Sequence, residues 1–192
     1  MARPAHDTLR ETALDRAEAV LAAEGLGALT ARRVAADSGV SVGTLYNLFG
    51  HLDGLIRALN RRTMARLRAR LAAALEDAAD APVDARLAAL AHAYLDFALA
   101  HPEPWDALFR HRMDTPPETE REDEVAAMGD LLARAAGPGV AEDVLMALWA
   151  ATHGVVELAT TRRLPASDPA LARRYLDIIL AAATGGAGRA PS

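Results

Sequence analysis

Between Thr30 and His51 the chain gathers side chains that can hydrogen-bond to an external partner. They are the hydroxyls of Thr30, Ser41, Thr44 and Tyr46, the guanidinium of Arg32, the amide of Asn47 and the imidazole of His51. Val42 and Gly43 place compact surface among them. Nothing in this set resembles a catalytic constellation, but it is well suited to nucleic acid. Hydroxyls and guanidinium groups meet phosphate oxygens, an amide can donate and accept at a base edge, and a valine can touch a thymine methyl. Glycine allows close backbone approach, and His51 adds charge below about pH 6.5.

The other titratable groups do not complete a reactive site. His6, His51, His92, His101, His111 and His153 are scattered, with no H-x-x-x-H or H-E-x-x-H pair to suggest a metal. Cysteine is absent, which removes disulfides, thiolate ligands and cysteine nucleophiles together and agrees with a reducing cytoplasm. Neither G-x-S-x-G nor a phosphate-cradling glycine loop occurs, and the GPG and GGAG segments sit where helices should stop. No catalytic residue, metal or cofactor is expected.

The candidate binding residues need short rigid carriers. Ala, Leu, Arg and Glu dominate, and apolar residues recur at three and four, so the chain reads as all-α with about nine helices. A first helix is predicted from the capping box Thr8-x-x-Glu11 to Gly25, burying Leu14, Ala17 and Leu21 with Arg10, Asp15 and Glu18 outward. Thr30 can cap a second helix, Ala31 to Asp37, which ends at Ser38-Gly39, and Ser41 a third, from Val42 to about Leu48. Two short helices about a glycine turn make a helix-turn-helix. On the third, Val42, Gly43 and Asn47 face outward, while Leu45 and Phe49 anchor it on Val34, Val40 and Leu14.

Longer helices follow. One runs from Leu52 to Ala79, with Pro82 as the break; the next carries the stripe Leu87, Leu90, Tyr94, Phe97; a short one after Pro104 carries Trp105, Leu108 and Phe109. Asp114 to Asp123, acidic and proline-containing, reads as a mobile loop. Further helices are expected at Glu124 to Ala136, Ala141 to Arg163, and from the Asp168 cap and Pro169 to Gly185-Gly186. The division is thus 1–50, a helix-turn-helix DNA-binding domain; 51–184, a helical body; and 185–192, a disordered tail.

Charge follows the same division. Residues 1–70 hold 11 arginines against seven acids and residues 71–192 hold 10 against 19, so a front of +4 precedes a body of −9. A basic head on an acidic body fits nucleic-acid binding. All 21 basic residues are arginine, which with the abundant alanine reflects coding bias. The N-terminus has no apolar core of a signal peptide, and no run of 18 apolar residues occurs, so a soluble cytoplasmic protein is expected.

The stretch LTARRVAADSGVSVGTLYNLFGHLDGL, Leu29 to Leu55, resembles the tetracycline-repressor (TetR) family of bacterial transcriptional regulators. The matching points are Leu29-Thr30, Val34-Ala35, Gly39-Val40-Ser41, Gly43-Thr44-Leu45-Tyr46, Phe49 and Leu55. Further on, Trp149, His153 and Gly154 form a W-x-x-x-H-G arrangement similar to one C-terminal subfamily. The resemblance implies a homodimeric, ligand-responsive repressor on double-stranded palindromic operator DNA. It also implies that Thr30, Arg32, Ser41, Val42, Gly43, Thr44, Tyr46, Asn47 and His51 are DNA contacts. One position departs from the pattern: family members usually have lysine, a phosphate contact, where this chain has Leu52. A helical dimer that has lost DNA binding and works through protein partners is the alternative that Leu52 raises.

In the body, Tyr94, Phe97, Trp105, Phe109, Met128, Leu132, Leu148, Trp149 and Thr152 are large or adaptable residues that could line a cavity for a largely apolar small-molecule effector, with His153 as a polar anchor. The same residues could equally form plain core. The penultimate helix carries two apolar stripes, Val144, Leu148, Ala151, Val155, Leu158 and Leu145, Trp149, Thr152, Val156. One side cannot bury both, so a homodimer is predicted through a four-helix bundle of the last two helices of each subunit.

Overall fold

A computed structural model describes residues 3–110, 118–161, 163 and 168–186. Among the described residues there are nine α-helices and no strand: α1 (Arg3–Glu24), α2 (Ala31–Asp37), α3 (Val42–Phe49), α4 (Leu52–Asp77), α5 (Val83–Ala100), α6 (Pro102–Arg110), α7 (Glu118–Ala136), α8 (Glu142–Thr160) and α9 (Pro169–Gly186). The helices form two compact units, Met1–Arg66 with His101–Thr115 and Leu67–Ala100 with Pro116–Ser192; α4 runs through the boundary.

The first unit contains α1, α2, α3, the front of α4 and α6, around a core that includes Leu14, Leu21, Val34, Leu45, Leu55 and Leu59. Leucines and alanines at helical spacing on α1 and α4 supply most of this core, while α2 and α3 add Val34 and Leu45. Gly25 closes α1 with φ 78°, a left-handed conformation that a Cβ disfavours, and an added Cβ would meet the Glu103 carboxylate of α6 at 2.6 Å. Buried Asn60 donates from Nδ2 to the Ala107 carbonyl at 3.2 Å, tying α4 to α6.

Charged groups reinforce the α1–α4 packing. Arg62 pairs with Glu11, with Asp15 at 2.7 Å and with Glu18 at 3.3 Å, and Arg66 pairs with Glu18. Asp15 and Glu18, expected on an outward face, therefore serve α4. Burial pulls the Arg62 guanidinium down, yet hydrogen bonds to Asp15 and Glu11 outweigh it and hold the group above the ordinary arginine value.

In the second unit α5 packs against α7, α8 and α9, and α8 against both α7 and α9. Leu87, Leu90, Tyr94 and Phe97 are all buried, as the α5 stripe predicts. Arg86 donates from Nε to the Ala135 carbonyl at 2.9 Å, satisfying an end carbonyl of α7. His92 and Asp177 meet at 2.9 Å, and Arg173 pairs with Asp96, both joining α5 to α9.

Several boundaries differ from expectation. Helix α1 begins at Arg3, so Thr8 lies inside it, where its carbonyl accepts from the Thr12 hydroxyl at 2.9 Å. Helix α6 begins at Pro102 because a first turn needs no proline N–H, and Pro104 lies in that same turn. Helix α7 begins at Glu118: the stretch from Glu118 to Asp123, read as loop, is helical, and acids are favoured at a helix N-terminus. The rest of that expected loop, and 187–192 of the expected tail, lie outside the described residues.

Candidate functional site

Capping sets the geometry of α2 and α3. The Thr30 hydroxyl accepts from the Arg33 N–H at 3.2 Å, and the Ser41 hydroxyl accepts from the Thr44 N–H at 3.0 Å. Each satisfies an otherwise orphaned first-turn donor, which is why α2 and α3 start where they do. Between them Gly39 takes φ 68° and makes the turn. Leu45 is buried beneath α3, and Phe49 is held from above by the Arg10 guanidinium, 5.0 Å from its ring centroid.

The opposite face of these helices is open. Thr30, Arg32, Ser41, Gly43, Tyr46 and Asn47 are exposed, Tyr46 to 44 %, while Val42 and Thr44 are half-buried. The side chains of Arg32, Tyr46 and Asn47 make no hydrogen bond or ion pair among the described residues. Arg33 is the opposite case: it donates to Asp37 at 2.8 Å and Glu24 at 3.1 Å, and these two acids hold its guanidinium above the ordinary arginine value. The Ser41 and Thr44 hydroxyls share a hydrogen bond of 2.9 Å. A Cβ at Gly43 would touch only Ser41 Oγ, at an ordinary 3.6 Å, so the packing of the chain itself does not demand glycine there.

Beyond α3, Gly50 has φ 78° and His51 caps α4, its Nδ1 accepting from the Gly54 N–H at 3.1 Å. An imidazolium has no lone pair at Nδ1, so this cap and a positive charge on His51 exclude each other. Leu52 packs, partly buried, against the core of the first unit. Gly54 lies under the end of α3, where a Cβ would stand 1.9 Å from the Phe49 carbonyl oxygen.

The candidate effector residues divide between the units. Tyr94, Met128, Leu132, Leu148, Trp149 and Thr152 together line a small cavity of about 30 Å³ in the second unit. Phe97 is buried on α5 but does not line it. Trp105 and Phe109 belong to the first unit, their ring centroids 4.5 Å apart. His153 stands beside the cavity lining: its ring stacks on Trp149 at 5.4 Å and 8°, and its Nδ1 lies 3.0 Å from the Tyr94 hydroxyl. Burial lowers the His153 pKa against an opposing pull from Glu157. Burial likewise raises that of Tyr94, with hydrogen bonding from Trp149 acting against it and Glu157 adding to it. Leu71, on the last turns of α4, also lines the cavity; periodicity marks it as buried but cannot tell which neighbour it meets.

The short capped helices, the glycine turn and the open hydroxyl and amide face define a helix-turn-helix DNA-binding protein. The family model described as "Bacterial regulatory proteins, tetR family" matches residues 13–59, and that described as "Tetracyclin repressor-like, C-terminal domain" matches residues 87–183. This chain belongs to the tetracycline-repressor family and is a DNA-binding transcriptional regulator. A solved protein of unknown function from Rhodococcus sp. RHA1 is 30 % identical, with a TM-score of 0.69 over 93 % of this chain and 92 % of that one. A TetR-family transcriptional regulator from Streptomyces coelicolor (21 % identity, TM-score 0.66, 93 % and 98 % covered) shares the fold. So does a TetR-like transcriptional regulator from Rhodococcus sp. RHA1 (21 %, 0.63, 94 % and 97 %). No curated protein matches the chain. No helix among the described residues is long and apolar enough to cross a membrane.

Proposed function

We propose that this regulator is a cytoplasmic, ligand-responsive repressor that binds a palindromic operator as a homodimer. The carrying observation is the unengaged face of α2 and α3, where Arg32, Tyr46 and Asn47 project with no partner among the described residues, beside a glycine that the fold does not require. In this reading α3 enters the major groove, ~12 Å wide, with Val42, Gly43 and Asn47 toward base edges. Thr30, Arg32, Ser41, Thr44 and Tyr46 meet the backbone, together with the first-turn N–H groups of α4 beside His51. Residues 1–50 form the reading head, and 51–184 bind the effector and dimerise.

Exposed apolar groups on α8 and α9 favour the dimer. Leu145, Leu148, Val155 and Val156 are buried within the unit, whereas Val144, Met146 and Leu158 on α8 and Ile178 on α9 stay exposed, Ile178 to 56 %. A second copy would cover them. A largely apolar effector bound at the cavity would shift α4, which contributes Leu71 to the lining and continues into the head, and so change the half-site spacing of ~34–36 Å. Footprinting upstream of the protein's own gene tests the reading. A protected palindrome that is released by cell extract is expected, and no protection with or without extract would count against it.

A further inference from the structure

Several arginines of the first unit are committed to its own acids. Arg33 is taken by Asp37 and Glu24, and Arg62 and Arg66 by Glu11, Asp15 and Glu18. Arg10 is different. Among the described residues its guanidinium makes no hydrogen bond, and its one ion pair, with Glu11, is 3.7 Å long, beyond hydrogen-bonding distance. The other oxygen of that carboxylate, Oε2, is engaged by Arg62. What holds Arg10 is Phe49: its guanidinium carbon lies over the ring, 5.0 Å from the centroid.

That contact fixes a cation without using it up. A guanidinium has five N–H donors, and a ring face leaves most of them for an anion. An exposed arginine without such a hold, such as Arg16, must give up its rotamer freedom when it binds, whereas Arg10 has already given up part of its own. The place matters as much. Phe49 follows Tyr46 by three residues on α3, and residues three apart are neighbours on a helix surface. Tyr46 is exposed on the reading face, so the held guanidinium borders that face at its α4 end. There the first turn of α4, with Leu52 and Asp53, brings no cation of its own. The Arg10 side chain stays 34 % exposed and so open to a partner. Its planar fork of donors matches phosphate oxygens, which carry no sequence information.

Resting on the reading of α3 as the helix that enters DNA, we propose that Arg10 is a further DNA contact: its guanidinium, held on Phe49, binds a backbone phosphate beside the one met by Tyr46 and so ties α1 to the operator. Arg10 then sets affinity and register, and Asn47 reads bases.

The probe is a duplex carrying the site that the full wild-type chain selects from a random library. Arg10→Gln removes the charge from a side chain that stays long and polar. It should weaken binding about tenfold and flatten the log–log salt slope by about 0.9 per subunit, with base preferences kept and melting temperature little changed. Arg10→Lys should keep the wild-type slope. A neutral methylphosphonate moved along the backbone should reveal one position per half-site that weakens the wild type but not Arg10→Gln. The chain has no cysteine, so Arg10→Cys bearing a tethered iron–EDTA group gives an independent placement should Arg10→Gln not fold; it should cut the backbone within each half-site. The proposal is overturned by an unchanged salt slope in Arg10→Gln, whether or not that variant is less stable, by no methylphosphonate position that separates the two proteins, or by no cleavage from position 10. An unchanged slope while Asn47→Ala still loses its base preference sinks the Arg10 contact alone. A wild-type chain that selects no site sinks the reading of α3 as well.

Discussion

Leu52 shows what one side chain decides. Where the family resemblance implies lysine, this leucine packs partly buried on the core of the first unit, so the absence of that charge comes with packing. Leu52→Lys should steepen the salt dependence of DNA binding by about 0.9 in log–log slope and cost about 1 kcal/mol of stability. Salt titration and thermal melting measure the two separately, and unchanged stability would refute the packing role. Asn47→Ala should cost about 1–3 kcal/mol at one operator position, whereas Arg32→Ala should weaken all sequences alike. The caps Thr30, Ser41 and His51 could be read from sequence because a hydroxyl or imidazole before an apolar run has few other uses there. The difference between Arg32 and Arg33 was only partly legible: Asp37 stands four residues after Arg33, but Glu24 is brought to α2 by the fold.

At the scale of elements, periodicity placed α2 and α3 closely and erred where proline or charge stood in for structure. The short helix expected after Pro104 begins at Pro102 and takes Pro104 into its first turn, and the acids from Glu118 looked like loop but begin α7. The α3–α4 joint rests on Gly54: Gly→Ala in an exposed helix would usually stabilise, but a Cβ 1.9 Å from the Phe49 carbonyl oxygen must displace backbone. Gly54→Ala should therefore lose about 1–3 kcal/mol in denaturant unfolding, and an unchanged midpoint would mean the joint is slack. The Arg62 and Arg66 cluster on α1 had a sequence signal, since Glu11, Asp15 and Glu18 share a face at helical spacing. Its partner helix was hidden because long-range pairing leaves no local pattern.

For the whole molecule, the two units and their different contents matter most. Apolar size alone grouped Trp105 and Phe109 with Tyr94 and Trp149, but the first pair packs in the unit that carries the head. His153 gives this chain a pH signature. It titrates near pH 6.5 when unfolded and lower when folded, because burial favours its neutral form beside Tyr94 despite Glu157. Between those values the unfolded chain binds more protons, so this stability is present above about pH 6.5 and is lost as pH falls through the folded value. Melting curves of His153→Gln should show a shallower loss on acidification. Ile178→Glu together with Leu158→Glu should give monomers by light scattering, and those monomers should not bind operator.

The most direct measurement is selection of bound sequences from a random double-stranded DNA library by the full chain, in parallel with Asn47→Ala. An enriched palindrome is expected, with half-sites about one helical turn, ~34–36 Å, apart and loss of one defined base preference in the variant. Enrichment of no motif by the wild-type chain, or the same motif undiminished with Asn47→Ala, would contradict it.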